Sequence, residues 1–342
     1  MALIRSVFVD EAGGALRVDQ REVPDPGPLQ VRIAVEACGV CHTDSQMVNG
    51  QMPGLAFPMT PGHEIAGRVD ATGEYVEGWQ QGDRVAVGWC GGYCGHCIAC
   101  RRGDFIHCDN LQVPGWAYPG GYAEAVIVPA TGLARIPDSL GSAVAAPMAC
   151  AGVTTFNGLR HSGAGPGDLV AVLGLGGLGH LGVQFAVKMG FETVAIARGT
   201  EKGELARELG AHHYIDSTAQ DMGAALQALG GARAVIATAG HSATMAAAID
   251  GLGTNGALVV MGVDPDPMKI SPLQLIDQTK TVIGLPAGTA ADVEDTLHFA
   301  ALTGVRPYIE ETPLEQATTA YTRMMNNQAR FRIVLTTEAL RV

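Results

Sequence analysis

Apolar residues change their spacing along this chain near residue 150. Before that point they fall in short runs, as in Gln30–Ala37, Arg84–Gly88 and Ala123–Val128. Clusters such as Pro24-Asp25-Pro26-Gly27-Pro28 and Pro119-Gly120-Gly121 separate them. Runs of this kind predict β-strands, since β-branched side chains suit a pleated surface while Pro and Gly interrupt the ladder. From 151 to 287 the pattern becomes strand, helix, strand, helix. Apolar runs predict strands at Leu169–Leu173, Thr193–Ala197, Ala234–Thr238 and Ala257–Gly262. Amphipathic stretches between them predict helices at His180–Met189, Glu201–Leu209 and Ala243–Leu252. That alternation implies parallel strands joined by right-handed crossovers, hence a doubly wound sheet. Beyond residue 288, Ala291–Leu302 reads as a helix and Phe331–Leu335 as a strand able to rejoin the first sheet. The expected fold class is α/β. A doubly wound domain, 151–287, is inserted near the end of a mostly-β domain made of 1–150 and 288–342.

Composition sharpens the picture at three points. The length of 342 residues suits two cores rather than one. Hydrophobic residues at 47% and charged residues at 16% give a globular balance. The net charge of -12 repels phosphate backbones and anionic lipid, so neither nucleic acid nor a membrane surface is an expected partner. Leu169–Val187 carries no charged residue, yet five glycines lie within it. Glycine is poor in the interior of an isolated helix, so a buried strand turning into a packed helix explains the stretch better than a membrane span. Met1–Gly14 interleaves Arg5, Asp10 and Glu11 with apolar residues and lacks the features of a secretory signal. The expectation is a cytoplasmic protein whose eight cysteines are reduced.

The run Gly174-Leu175-Gly176-Gly177-Leu178-Gly179 contains the G-x-G-x-x-G pattern. Alone the pattern is weak; here a strand precedes it and a helix follows, the context that gives it meaning. Glycines there permit a tight turn and bring backbone close to a pyrophosphate seated on the helix N-terminus. Gly174, Gly176, Gly177, Leu178 and Gly179 are therefore the candidate dinucleotide-binding residues. At the end of the next strand, where NAD-binding chains carry an acid, this chain has Ala197, followed by Arg198 and, close by, Lys202. Arginine can clamp a 2′-phosphate, so NADP(H) is the favoured cofactor. Glu201 and Glu204 lie near enough to leave NAD(H) open.

Cys94-x2-Cys97-x2-Cys100-x7-Cys108 is the strongest local signal. Four thiolates this close can enclose one tetrahedral Zn²⁺ in a structural site. Ferredoxin motifs also open with C-x2-C-x2-C, but continue with a short gap and Cys-Pro, whereas Asp109 follows here. A second set is scattered: Cys41, His63 and Cys150, in Gly39-Val40-Cys41-His42-Thr43-Asp44, Pro61-Gly62-His63-Glu64 and Pro147-Met148-Ala149-Cys150. Two thiolates and an imidazole make a Cys2His zinc site with an open position, yet each residue alone also has a plain structural reading. Cys38 and Cys90 take that plain reading, as small core residues.

These segments, in this order and over essentially the whole length, resemble the zinc-containing alcohol dehydrogenases of the medium-chain dehydrogenase/reductase superfamily. The resemblance implies a GroES-like catalytic domain carrying a Rossmann domain, and hydride transfer between an alcohol or aldehyde and a nicotinamide dinucleotide. It implies two zinc ions per chain, the catalytic one on Cys41, His63 and Cys150 and the structural one on the four-cysteine lobe. It assigns Glu64 as an acid that approaches the metal, Asp44 as the carboxylate orienting the ligand histidine, and Thr43 as the hydroxyl contacting the substrate oxygen. His42 takes the place of a basic residue near the cofactor phosphates, and Trp89 that of a pocket-narrowing tryptophan; Trp116 is a further candidate for the pocket. Gln46 departs from the family, which commonly has a histidine there; an amide cannot relay protons by titrating. Resemblance also implies a homodimer or homotetramer. Two rival functions stand beside this one, a zinc-free quinone or enoyl reductase on the same fold and a non-catalytic dinucleotide sensor. The first needs none of Cys41, His63 and Cys150, and the second predicts a damaged ligand set.

Overall fold

A computed structural model describes residues 2–338; residues 1 and 339–342, at the two ends of the expected outer domain, lie outside the described residues. The chain divides into two compact units, Met1–Val153 with Ala287–Val342, and Thr154–Pro286.

The first unit is built on a mixed sheet. Its path runs Ile309–Pro313, Arg332–Thr336, Gln30–Gly39, Ile65–Thr72, Arg84–Val87, Ala134–Arg135, with Ala125–Pro129 pairing beside Gln30–Gly39. Ala2–Phe8 and Arg17–Val23 form a separate antiparallel pair. The long strand Gln30–Gly39 alternates, with Val31, Ile33 and Val35 fully buried in one core that also takes in Val7, Ile65, Val85 and Val128. Arg332–Thr336, close to the C-terminus, pairs antiparallel with its end, Leu335 opposite Cys38.

The second unit is a six-stranded parallel sheet in the order His213–Asp216, Glu192–Ala197, Leu169–Leu173, Ala232–Ala237, Leu252–Val260, Thr281–Gly284. The order reverses at Leu169–Leu173, all five residues of which are buried, as a strand covered on both faces requires. The uncharged stretch from Leu169 thus becomes a strand, a turn and the helix Gly179–Lys188. No helix among the described residues is long and apolar enough to cross a membrane.

Several boundaries differ from the sequence expectation. The helix expected over Ala243–Leu252 runs from Ser242 to Ala248 and closes in a 3-10 turn, Ile249–Gly251. The strand expected from Ala257 begins at Leu252, five residues earlier in a stretch where glycines hide the periodicity. His213–Asp216 and Thr281–Gly284 were not anticipated; each is four residues long and only partly buried. The helix Ala290–Thr303 is bounded by local chemistry, a capping box between Thr289 and Asp292 and a left-handed Gly304.

Candidate active site

Two adjacent strands of the first unit deliver two donors to one end of the sheet. Gln30–Gly39 and Ile65–Thr72 pair with Cys38 opposite Ile65, and Gly39 N–H donates to Glu64 O at 2.9 Å. Cys41 leaves one strand just where His63 enters the other. Cys41 opens a tight turn into the short helix Asp44–Val48, with Asp44 N–H on Cys41 O at 3.1 Å. Cys150 arrives by a different device. The helix Ser142–Pro147 passes into a wider π-helical turn, Met148–Gly152, at Pro147, which has no N–H to continue the regular ladder. Gly88 lets that turn approach: a β-carbon there would stand 2.1 Å from Ala149 O.

The ligand atoms of Cys41, His63, Glu64 and Cys150 lie within 4.8 Å of one another. Cys150 Sγ and His63 Nε2 are 3.4 Å apart. A tetrahedral zinc with ordinary Zn–S and Zn–N bonds separates such atoms by roughly 3.5 Å, so this donor pair fits the ion. His63 Nδ1 lies 2.8 Å from Asp44 Oδ1, which keeps its proton on that side and leaves Nε2 to a metal. Asp44 Oδ2 accepts from Cys41 N–H and from the Tyr122 hydroxyl, each at 2.9 Å. The His63 ring meets the half-buried Trp89 edge-on, with centroids 5.4 Å apart. Trp116 is held elsewhere in the unit by its indole N–H on Pro53 O at 2.9 Å. His42 is exposed, while Thr43 and Gln46 are half-buried.

Charge in this pocket is unusual. Glu64 is fully buried and neither carboxylate oxygen has a hydrogen-bond partner among the described residues. Burial pushes its carboxyl up to about 8, although the cation of Arg332 pulls the other way. Arg332 Nη2 stands 3.4 Å from Glu64 Oε1, and Arg332 Nη1 donates to Val40 O at 3.1 Å. A hydrogen bond with Cys150 holds the Cys41 thiol well below its ordinary range, with Arg332 and His63 assisting against burial. An orphaned carboxylate beside two thiols and an imidazole suits a divalent cation. Sequence reasoning missed both Arg332 and Tyr122. Tyr122 fell between the Pro119-Gly120-Gly121 punctuation and the strand expected over Ala123–Val128, and nothing around Arg332 signals a buried partner so far back in the chain.

The four-cysteine lobe is equally well gathered. The sulfurs of Cys94, Cys97, Cys100 and Cys108 lie within 4.8 Å of one another. Cys97 and Cys108 are 3.9 Å apart and Cys94 and Cys108 3.6 Å, against roughly 3.8 Å for the edge of a Zn–S tetrahedron. Backbone N–H groups point at the sulfurs, Cys97 N–H on Cys94 at 3.4 Å and Asn110 N–H on Cys108 at 3.3 Å. Backbone bonds of this kind, from His96 and Cys97, pull the Cys94 thiol down to about 6. Cys38 and Cys90 are buried outside both sets, and no two of the eight cysteines are bridged.

In the second unit, the turn after Leu169–Leu173 needs its glycines. Gly174 has φ +100, and a β-carbon on Gly179 would stand 1.8 Å from Gly174 O. Gly176, Gly177 and Leu178 are half-buried along the same turn. Arg198 is exposed at the end of Glu192–Ala197, and Lys202 begins the helix Lys202–Glu208. Gly199 is pinned between them: its N–H donates to Asp216 Oδ1 at 2.9 Å and its carbonyl accepts from the Tyr214 hydroxyl. The Glu201 carboxylate folds back against Gly199, where it would meet a β-carbon at 2.1 Å.

Comparison with known proteins agrees with this geometry. Residues 27–138 match the alcohol dehydrogenase GroES-like domain and residues 177–302 the zinc-binding dehydrogenase family. The chain is 44% identical over 326 residues to alcohol dehydrogenase patD of Penicillium expansum, covering 95% of each. The chain belongs to the zinc-containing alcohol dehydrogenases of the medium-chain dehydrogenase/reductase superfamily. A further alcohol dehydrogenase, the NADP-dependent alcohol dehydrogenase C of Mycobacterium bovis, is 35% identical over 92% of this chain and 93% of its own. The cobalt- and zinc-bound thermostable alcohol dehydrogenase of Pyrobaculum aerophilum superposes with a TM-score of 0.87 at 26% identity, over 98% of this chain and 100% of that one. As an alcohol dehydrogenase of this family, the protein uses zinc and NAD(P) to move hydride between small alcohols and their carbonyl counterparts. The quinone-reductase and sensor readings are not favoured, since the ligand set they would dispense with is intact.

Proposed function

We propose that Cys41, His63 and Cys150 hold the catalytic zinc and that Cys94, Cys97, Cys100 and Cys108 hold a second, structural zinc. The observation that carries the first assignment is the 3.4 Å separation of Cys150 Sγ and His63 Nε2, with His63 Nδ1 occupied by Asp44. Zinc bound there supplies Lewis acidity toward a substrate oxygen. The chain's own groups do the rest. Asp44 fixes the tautomer and aim of His63. Thr43, half-buried beside Cys41, presents a hydroxyl to take a hydrogen bond from the substrate oxygen. Arg332 holds the buried Glu64 within reach of the donors. His42, exposed, offers a basic group for cofactor phosphate or for an outgoing proton, a task that the Gln46 amide cannot perform by titration.

The glycine turn from Gly174 to Gly179 is proposed to carry the pyrophosphate, and Arg198 with Lys202 to favour NADP(H). Ala197 in place of an acid and an NADP-dependent relative support that preference; the Glu201 carboxylate against Gly199 leaves room for NAD(H). A homo-oligomer is supported by the edge strand Thr281–Gly284 and by Leu273 and Ile276, exposed at 71% and 73% on the short helix Pro272–Ile276. The free thiols suit the reducing cytoplasm.

Metal analysis tests the site. Cys41→Ala and His63→Ala should each lose about one zinc per chain and nearly all turnover while the circular dichroism stays native. An active Cys41→Ala enzyme would end the assignment. For the cofactor, kcat/KM with NADPH over NADH should fall in Arg198→Ala; an unchanged ratio removes Arg198 from the phosphate site.

A further inference from the structure

We propose that Tyr122 is a positioning residue of the catalytic metal centre, acting on His63 from two sides: through Asp44, and through the backbone that enters the ligand. The proposal rests on the zinc assignment above and adds a residue that it does not use.

Tyr122 is completely buried. Its hydroxyl donates to Asp44 Oδ2 at 2.9 Å, the oxygen that also accepts from Cys41 N–H, while Oδ1 faces His63 Nδ1 at 2.8 Å. One carboxylate therefore ties together the backbone of one ligand, the ring of another and the phenol. Aspartate has two soft side-chain torsions. Donors from two distant segments converge on Oδ2 and leave Oδ1 a single direction, toward the imidazole.

The ring does separate work. Gly62, just before His63, has φ +106, and a β-carbon there would stand 2.4 Å from Tyr122 Cδ1. The two segments also zip together, with Gly120 N–H on Thr60 O and Gly121 N–H on Gly62 O at 2.8 Å, and Tyr122 N–H on Pro61 O at 3.0 Å. Ring and ladder thus set where His63 enters the site, and the hydroxyl sets how its ring is turned. Packing alone would be served by phenylalanine. A buried hydroxyl costs free energy unless it is bonded, so the oxygen is explained by its Asp44 contact.

Tyr122→Phe keeps the ring and the ladder and removes only the oxygen. With zinc release to a chelator followed in the whole enzyme, the catalytic ion should leave faster by up to about tenfold. That is the low end of the cost of losing a direct outer partner of a ligand histidine, because the hydroxyl reaches His63 only through Asp44. The four-cysteine ion should leave at the wild-type rate. Cobalt(II) at the catalytic site should show shifted visible bands. In an Asp44→Asn background the same change should add nothing, because the route runs through that carboxylate. Unmoved release and cobalt bands in Tyr122→Phe, or additive effects in the double variant, would overturn the proposal while the zinc assignment stood. A wild-type chain with no ion removable by Cys41→Ala would overturn both.

Discussion

Gly88 and Ala149 approach so closely that a β-carbon on Gly88 would stand 2.1 Å from the Ala149 carbonyl oxygen. Backbone, not a flexible side-chain end, fills the space, and Cys150 is the next residue. Gly88→Ala must push the π-helical turn away from the sheet and carry the thiol with it. The expected outcome is loss of most catalytic zinc and a stability loss of about 1–3 kcal/mol, typical of overpacking. Zinc content per chain and urea midpoints check it; an alanine variant with full zinc would show that the turn yields without moving Cys150.

The Arg332 guanidinium stands 3.4 Å from the buried Glu64 carboxyl. Above about pH 8, the Glu64 carboxylate is ionised beside Arg332. There Arg332→Met should cost up to about 3–5 kcal/mol, because it leaves that carboxylate uncompensated or forces it to take up a proton. Adding Glu64→Gln should restore much of that loss. Chemical unfolding of the three proteins decides the matter, and equal losses in the single and double variants would count against a charge pair.

The four-cysteine lobe is predicted to matter for lifetime rather than chemistry. Cys97→Ala should lose about one zinc per chain and inactivate faster on warming, since metal binding there is folding free energy. Freshly prepared, it should keep a wild-type KM. A large change in KM with unchanged thermal half-life would contradict a structural role.

Asp216 gives a pH-dependent prediction. Hydrogen bonds from Thr218, its hydroxyl and its N–H, and from Gly199 N–H hold the carboxyl below its ordinary range. A depressed folded-state value stabilises the loop above the unfolded value and is lost as pH falls through the folded one. Protection of the Gly199 amide against hydrogen exchange should therefore weaken below about pH 4. In Asp216→Asn that acid step should vanish, since an amide oxygen accepts the same bonds without titrating. A persisting step would assign it to another group.

Most of the candidate chemistry could be read from residues near one another in the chain. The lobe closes within Cys94 to Cys108, so its spacing alone specifies a four-sulfur cage. The turn from Gly174 to Gly179 is likewise local, a β-carbon on Gly179 meeting the Gly174 carbonyl oxygen of the same strand–turn–helix unit. The alternation of apolar runs was enough for a doubly wound sheet, because buried parallel strands such as Leu169–Leu173 are apolar throughout. Partly buried edge strands escaped notice: His213–Asp216 and Thr281–Gly284 are short and lack that signature.

Cys41, His63 and Cys150 are a middle case. Their types and the family resemblance suggested a set, but nothing in their spacing says that they meet. The strand register that puts Cys38 opposite Ile65 and the π-helical turn at Met148–Gly152 bring them together. Tyr122 and Arg332 belong wholly to the tertiary structure. Their partners, Asp44 and Glu64, are remote in sequence, and a hydrogen bond or a buried charge pair leaves no periodicity behind. Local steric rules and short ligand spacings are written into the order of residues; the environment that aims a ligand and balances its charge exists only once distant strands have paired.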